Sequence, residues 1–96
     1  MRHVYIVSYD VRDPTRLRRT YDFLRGWGEH LQLSVFRCEL GAAELVQVRS
    51  GLVDIILATE DQVLFANLGP IDGRGADSIR TLGLPYVRDE RAAVVL

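Results

Sequence analysis

The chain has 96 residues, a length that predicts one small domain and excludes two. Hydrophobic residues make up 48% of the chain and charged residues 26%, a composition that excludes wholesale disorder. No stretch approaches the roughly 18 apolar residues of a membrane span, so we expect no membrane association. The formal net charge of −1 argues against a uniformly basic surface for nucleic acid.

The first strand is predicted over residues 3–11. Side chains alternate between the two faces of a strand. One face then contains Tyr5, Val7 and Tyr9, and the other contains Val4, Ile6 and Ser8. Because both faces are largely apolar, we predict a central strand that is covered on both sides.

A basic amphipathic helix is predicted next. Asp13 is a suitable N-cap and Pro14 suits the first helical turn, while Gly26 and Gly28 predict the end of the helix. The apolar stripe contains Leu17, Tyr21 and Leu24, and the outer face contains Arg16, Arg18, Arg19 and Arg25.

The same periodicities predict the later elements. They are a strand over residues 32–40, a helix from Ala42, a strand over residues 62–68, a loop over residues 69–77, a short strand over residues 78–83, a polar connection over residues 84–91 and a final strand over residues 92–96. Gly51 weakens the second helix, and residues 52–58 could instead form a strand. We favour the helix, because Leu45, Val48 and Leu52 lie on one helical stripe.

Alternating helices and strands in so short a chain predict one sheet with both helices on one face. The other face would be apolar and bare, and a second copy of the chain is its simplest cover. The final strand needs a sheet edge to pair with, and that edge could belong to the partner. We therefore expect a homodimer.

The chain offers little for cysteine or zinc chemistry. Cys38 is the only cysteine, and we interpret it as a buried structural thiol in a reducing cytoplasm. His3 and His30 have no cysteine or carboxylate at ligand spacing, which argues against a zinc site. The chain enters a strand pattern directly, so we expect no signal peptide and a cytoplasmic protein.

Asp10 is the first candidate functional residue. It lies at the carboxyl end of a central strand, a position where open α/β sheets commonly bind ligands. It could be a turn or capping residue, or a ligand of Mg²⁺, which proteins hold with one or two carboxylates plus water and phosphate oxygens. One aspartate per chain is too little, but two copies of Asp10 across a dimer axis would be enough.

The arginines are the second candidate. Every basic residue is an arginine, and residues 1–40 contain seven arginines against five acids (+2), while residues 41–96 contain five against eight (−3). Five of the seven are Arg12, Arg16, Arg18, Arg19 and Arg25. They could form a solvated helix face with an Arg18–Asp22 pair. Alternatively, they could form a strip that contacts phosphates, doubled in a dimer.

Three short patterns together resemble the Cas2 family of CRISPR-associated proteins, the small proteins of spacer acquisition. They are Tyr9-Asp10-Val11 at the end of the first strand, Gln32-Leu33-Ser34-Val35-Phe36 after the basic helix, and Asp61 before the third strand. The resemblance covers residues 3–68. It implies an α+β, ferredoxin-like fold, with an antiparallel sheet, two helices on one face and a homodimer. It also implies a single domain with a core at residues 1–83 and an extension at residues 84–96, whose strand is swapped onto the partner.

The family's activity, carried over by this resemblance, is that of a metal-dependent endonuclease on RNA or DNA. Asp10 from both chains would bind Mg²⁺, and Arg12 with one or two of Arg16, Arg18 and Arg19 would bind nucleic acid. Tyr9, Ser34 and Phe36 would support the site. One departure concerns the strands: the ferredoxin-like order β-α-β-β-α-β has two strands between the helices, whereas the sequence predicts one. Either residues 32–40 break into two pieces, or the fold is a variant.

The resemblance implies two main functions. The first is Mg²⁺-dependent hydrolysis of single-stranded RNA or double-stranded DNA at the paired Asp10 residues. The second is a non-catalytic dimeric scaffold that holds duplex DNA between CRISPR integrase subunits. A related toxin ribonuclease and a small-molecule-binding regulator are weaker alternatives, and nothing in the sequence suggests a pocket for the latter.

Overall fold

The computed structural model describes residues 1–86, and it arranges them as strands and helices in the order β-α-β-β-α-β. The elements are β1 (His3–Asp10), α1 (Pro14–Arg25), β2 (Gly28–Gln32), β3 (Val35–Leu40), α2 (Ala42–Val53) and β4 (Gln62–Pro70), followed by a short 3₁₀ helix (Arg74–Asp77). In this part of the chain, no helix is long and apolar enough to span a membrane.

The four strands form one antiparallel sheet in the order β2-β3-β1-β4. Strand β1 is central, as predicted, and is hydrogen-bonded to β3 on one side and to β4 on the other. The predicted ferredoxin-like α+β fold is therefore confirmed for the described residues. The predicted final strand at residues 92–96 lies outside them.

The hydrophobic core lies between the sheet and the two helices. The fully buried side chains include Leu24 from α1, Val48 from α2, Val7 from β1, and Phe36, Cys38 and Leu40 from β3. Of the two faces of β1, the face with Val7 and Tyr9 is therefore the one that the helices cover. Ile6 and Ser8 lie on the opposite face, where β4 places Ala66 and Leu64 beside them. We call this the open face of the sheet, and the Leu64 side chain there is 57% exposed.

The single strand predicted over residues 32–40 is wrong. Gln32 is the last residue of β2, Leu33 and Ser34 form a turn in which Leu33 is 92% exposed, and β3 begins at Val35. The first strand of this hairpin begins at Gly28. A glycine after a helix is typical of a helix end, so the sequence pattern predicts no strand there. Gly28 pairs with Cys38, and a Cβ on it would lie 2.4 Å from the Arg37 carbonyl oxygen and 2.5 Å from Cys38 Sγ. This close approach requires a glycine within the strand.

Two later boundaries also differ from the sequence reading. Helix α2 ends at Val53, so the alternative strand over residues 52–58 is wrong. Gly51 lies within this helix because the Phe23 ring packs against it: a Cβ at position 51 would be 2.3 Å from Phe23 Cζ. The short strand predicted over residues 78–83 is also wrong. Gly83 has a left-handed backbone (φ +90°) and Leu82 is fully exposed, neither of which suits a packed strand.

The buried thiol of Cys38 gives a first testable prediction. Burial raises the pKa of Cys38 to about 12, well above the pKa of about 8.5 of a free thiol. The proton on this thiol therefore favours the folded state, and its contribution is lost as the pH rises from about 9 towards 12. At pH 8, we expect Ellman's reagent to modify the native protein only after denaturant is added. An exposed Leu33→Cys thiol is the positive control, and rapid reaction of native Cys38 would contradict the prediction.

Candidate functional site

Asp10 is the last residue of β1 and is exposed. It is paired with Gln62 on β4, and on its other side the Tyr9 amide donates to the Ser34 carbonyl (3.0 Å), so the β2–β3 turn lies next to it. Within residues 1–86, its carboxylate takes part in no hydrogen bond or ion pair. The helix is capped instead by Asp13, whose Oδ2 accepts from the Arg16 amide at 2.9 Å. Asp10 is thus available to a ligand.

The rule that first drew attention to Asp10 does not apply here. Ligand sites at carboxyl ends of strands are a property of parallel sheets, and this sheet is antiparallel. What supports Asp10 as a candidate is its exposure and its lack of a partner among the described residues.

The described residues of one protomer do not form a complete metal site. Among residues 1–86, no group of three His, Cys, Asp or Glu side chains is placed to hold an ion. Mg²⁺ accepts as few as one or two carboxylates when waters and substrate phosphates supply the other ligands. Asp10 therefore fits as one carboxylate ligand of such an ion.

Arg16 is held in an ion pair with Asp61. Its Nε donates to Asp61 Oδ2 at 2.7 Å and its Nη2 donates to Oδ1 at 3.2 Å, a two-pronged contact, and Nη2 also reaches Glu60 at 3.0 Å. The Asp61 side chain is fully buried, and it also accepts hydrogen bonds from the backbone amides of Arg12 (3.1 Å) and Leu57 (2.8 Å). Such two-pronged contacts between a guanidinium and a carboxylate are strong and directional.

The ion pair fixes the charge state of both groups. Hydrogen bonding to Arg16 lowers the pKa of Asp61 well below its usual range, and the same contact raises the pKa of Arg16. Because the pKa of Asp61 is lower in the folded state, its contribution to stability is present above about pH 4 and is lost as the pH falls below that value.

The remaining arginines of the predicted strip differ in their availability. Arg18 pairs with Asp22 at 3.4 Å on an exposed surface, as the spacing predicted, and Arg25 donates to the Tyr21 hydroxyl at 3.0 Å. Arg12 and Arg19 are exposed, and their side chains form no ion pair within residues 1–86. The strip is therefore not uniform: Arg12 and Arg19 are free to bind phosphate, Arg18 is weakly paired and Arg16 is committed to Asp61.

The three residues expected to support the site have separate roles. Phe36 is fully buried and Tyr9 is 5% exposed, and their rings lie 6.2 Å apart in the core. Burial raises the pKa of the Tyr9 hydroxyl. Ser34 lies in the turn beside Asp10. The sequence reading missed the role of Asp61, although an acidic residue directly before an apolar strand was visible as a signal.

The chain is similar to known proteins over most of its length. The family model described as CRISPR associated protein Cas2 matches residues 1–72. The CRISPR-associated endoribonuclease Cas2 of Geobacter sulfurreducens is 42% identical over 72 residues, which are 75% of this chain and 76% of that protein. A protein of the same name from Rhodospirillum rubrum is 34% identical over 94 residues, covering 98% of this chain and 91% of that one.

Two solved structures have a similar fold. The crystal structure of Streptococcus pyogenes Cas2 superposes with a TM-score of 0.73 at 32% identity, covering 83% of this chain and 99% of that one. A hypothetical protein from Thermus thermophilus, TT1823, superposes with a TM-score of 0.75 at 28% identity, covering 91% and 98% of the two chains. The family match over residues 1–72 spans both helices and all four strands.

Proposed function

The chain belongs to the Cas2 family of CRISPR-associated proteins, and from that premise we propose that it is a metal-dependent endonuclease of spacer acquisition. It would hydrolyse phosphodiester bonds in RNA or DNA as a homodimer, with Asp10 of each protomer facing the other. The observation that supports this most is the exposed Asp10 carboxylate, which has no partner among the described residues.

The geometry of β1 supports the dimer. Side chains two residues apart share a face of a strand, so Asp10 lies on the same side as Ile6 and Ser8, the open face. Leu64 and Ala66 of β4 extend the apolar part of that face, and Arg37 and Glu39 of β3 form an ion pair on it. Two copies packed open face to open face about a two-fold axis would bury it. The same arrangement would bring the two Asp10 residues towards each other.

Each group then has a defined task. The paired Asp10 carboxylates hold the cation, and Arg12 and Arg19 bind the phosphates that flank the scissile bond. A divalent cation held there would supply positive charge to the scissile phosphate and favour attack by water. Arginine suits the flanking role because its planar fork donates two hydrogen bonds to one phosphate.

The test is a cleavage assay with end-labelled single-stranded RNA and duplex DNA. We expect the wild-type protein to cleave at least one of them with Mg²⁺ and neither of them with EDTA. The substrate that is cut identifies the preferred nucleic acid. Failure to cut either substrate, by a dimer verified by sedimentation, would overturn the proposed activity.

A second candidate function, a scaffold that holds duplex DNA for an integrase without cleaving it, is favoured by a different observation. In the described part of the candidate site, each protomer offers Asp10 as a carboxylate for a metal, whereas it offers two arginines without an ion pair, Arg12 and Arg19, for phosphate. A scaffold needs only the arginines. Its affinity for DNA would depend on salt, because each phosphate contact releases counterions.

The arginines give a prediction about the binding of duplex DNA, which the scaffold requires whether or not the protein cleaves. We expect the double variant Arg12→Gln/Arg19→Gln to bind duplex DNA more weakly and to reduce the slope of log K against log salt by about 2 per protomer. The control is Arg49→Gln/Arg74→Gln, which removes the same charge elsewhere and should leave the slope unchanged. Equal slopes for the two variants, measured by fluorescence anisotropy at several salt concentrations, would contradict the assignment.

A further inference from the structure

Asp61 ties together three segments that are distant in sequence. Its carboxylate binds the backbone amide of Arg12 between β1 and α1, the side chain of Arg16 on α1, and the amide of Leu57 in the turn before β4. The side chain is fully buried. All of these donors meet one carboxylate, so the position of the β1–α1 connection depends on it.

That connection determines where Asp10 points. Only residues 11–13 separate Asp10 from α1, and each of them is held: Val11 lies in the core, the Arg12 amide is bound by Asp61, and Asp13 caps the helix. We propose that Asp61, held by Arg16, is a positioning residue that fixes the orientation of the Asp10 carboxylate. The effect on catalysis rests on the nuclease function proposed above.

The same geometry assigns Arg16 a role other than phosphate binding. Its guanidinium donates to Asp61 and Glu60, and leaving a buried carboxylate without its partner is costly. Arg16 therefore stays with Asp61 when nucleic acid binds. Arg16 lies on the same helix as Arg18 and Arg19 but acts through Asp61.

The test compares Asp61→Asn with wild type in three measurements. We expect kcat to fall about 10–100-fold, as for other groups that orient a metal ligand, while KM is unchanged or falls, because the variant frees the Arg16 cation. Hydrogen exchange of the Arg12 amide should become faster. Circular dichroism and thermal melting establish that the variant is folded at the assay temperature. The matched control is Glu60→Gln, which removes the charge of the exposed partner of Arg16 and should leave kcat and the exchange rate as in wild type.

A second variant keeps the proposal testable if Asp61→Asn does not fold. Arg16→Lys retains the positive charge but not the two-pronged contact, so we expect a smaller fall in kcat with no change in the salt dependence of binding. An unchanged kcat in a folded Asp61→Asn, or in a folded Arg16→Lys, would overturn the proposal. An unchanged exchange rate at the Arg12 amide would overturn it even if the protein proves to have no nuclease activity. Absence of cleavage by wild type would instead overturn the proposed function.

Discussion

Asp10→Asn is expected to abolish metal-dependent cleavage and to leave the fold and the dimer intact. The substitution removes the negative charge that attracts a divalent cation, while the asparagine has nearly the same shape. Asp10 is exposed and forms no hydrogen bond or ion pair within residues 1–86, so its loss should change the free energy of unfolding by no more than about 0.5 kcal/mol. Cleavage is measured on the substrate that wild type prefers, and stability by urea denaturation.

The control for this variant is Asp72→Asn. Asp72 is exposed in the turn after β4, so the substitution changes the net charge by the same amount near the opposite end of β1 from Asp10. We expect it to cleave like wild type. Undiminished cleavage by a rigorously purified Asp10→Asn protein would exclude Asp10 as the metal ligand, and the cleavage would then have to come from another site.

Mixed dimers test whether two copies of Asp10 share one cation. After subunit exchange in an equal mixture of wild type and Asp10→Asn, about a quarter of the dimers contain two wild-type chains. If both carboxylates are required, activity should fall to roughly that quarter. Activity of about one half would instead indicate that each protomer has an independent site.

The elements that the sequence predicted well are those defined by local patterns. Strand β1 has a continuous apolar alternation, and α1 has a capping aspartate, a proline and an apolar stripe, so both were predicted to within about two residues. Strand β2 has no such pattern. It begins at Gly28, and its pairing with Cys38 on β3 becomes evident only when the close contact of the two backbones is seen.

The residues of the candidate site also fall into those that a local sequence pattern predicts and those that it does not. The Asp13 cap and the Arg18–Asp22 pair are local features, and the sequence predicted both of them. The pairing of Arg16 with Asp61 joins residues 45 positions apart, and the antiparallel pairing of β1 with β4 is what places them together. No periodicity in the sequence contains that information. Arg16 therefore appeared to be one of several equivalent cations on a helix.

Phe36→Ala is expected to destabilise the protein more than any substitution on its surface. The ring is fully buried, and its centroid lies 5.0 Å from that of His30, 5.6 Å from that of Tyr21 and 6.2 Å from that of Tyr9. Truncating a buried phenylalanine costs about 3–5 kcal/mol, which is a large share of the roughly 5–15 kcal/mol that stabilises a typical domain. Urea denaturation is measured at one fixed protein concentration, because dimerisation makes stability depend on concentration.

Two further variants separate a packing role for Phe36 from a direct role in the site. Phe36→Leu keeps most of the apolar volume, so we expect a smaller loss of stability and full cleavage at a temperature where the variant is folded. Leu33→Ala, in the exposed turn before β3, should change stability by no more than about 0.5 kcal/mol. If Phe36→Leu were stable but inactive, the ring would have to act on the substrate. Because the ring lies within the core and Asp10 lies at the exposed end of β1, we expect its effect on cleavage to follow its effect on folding.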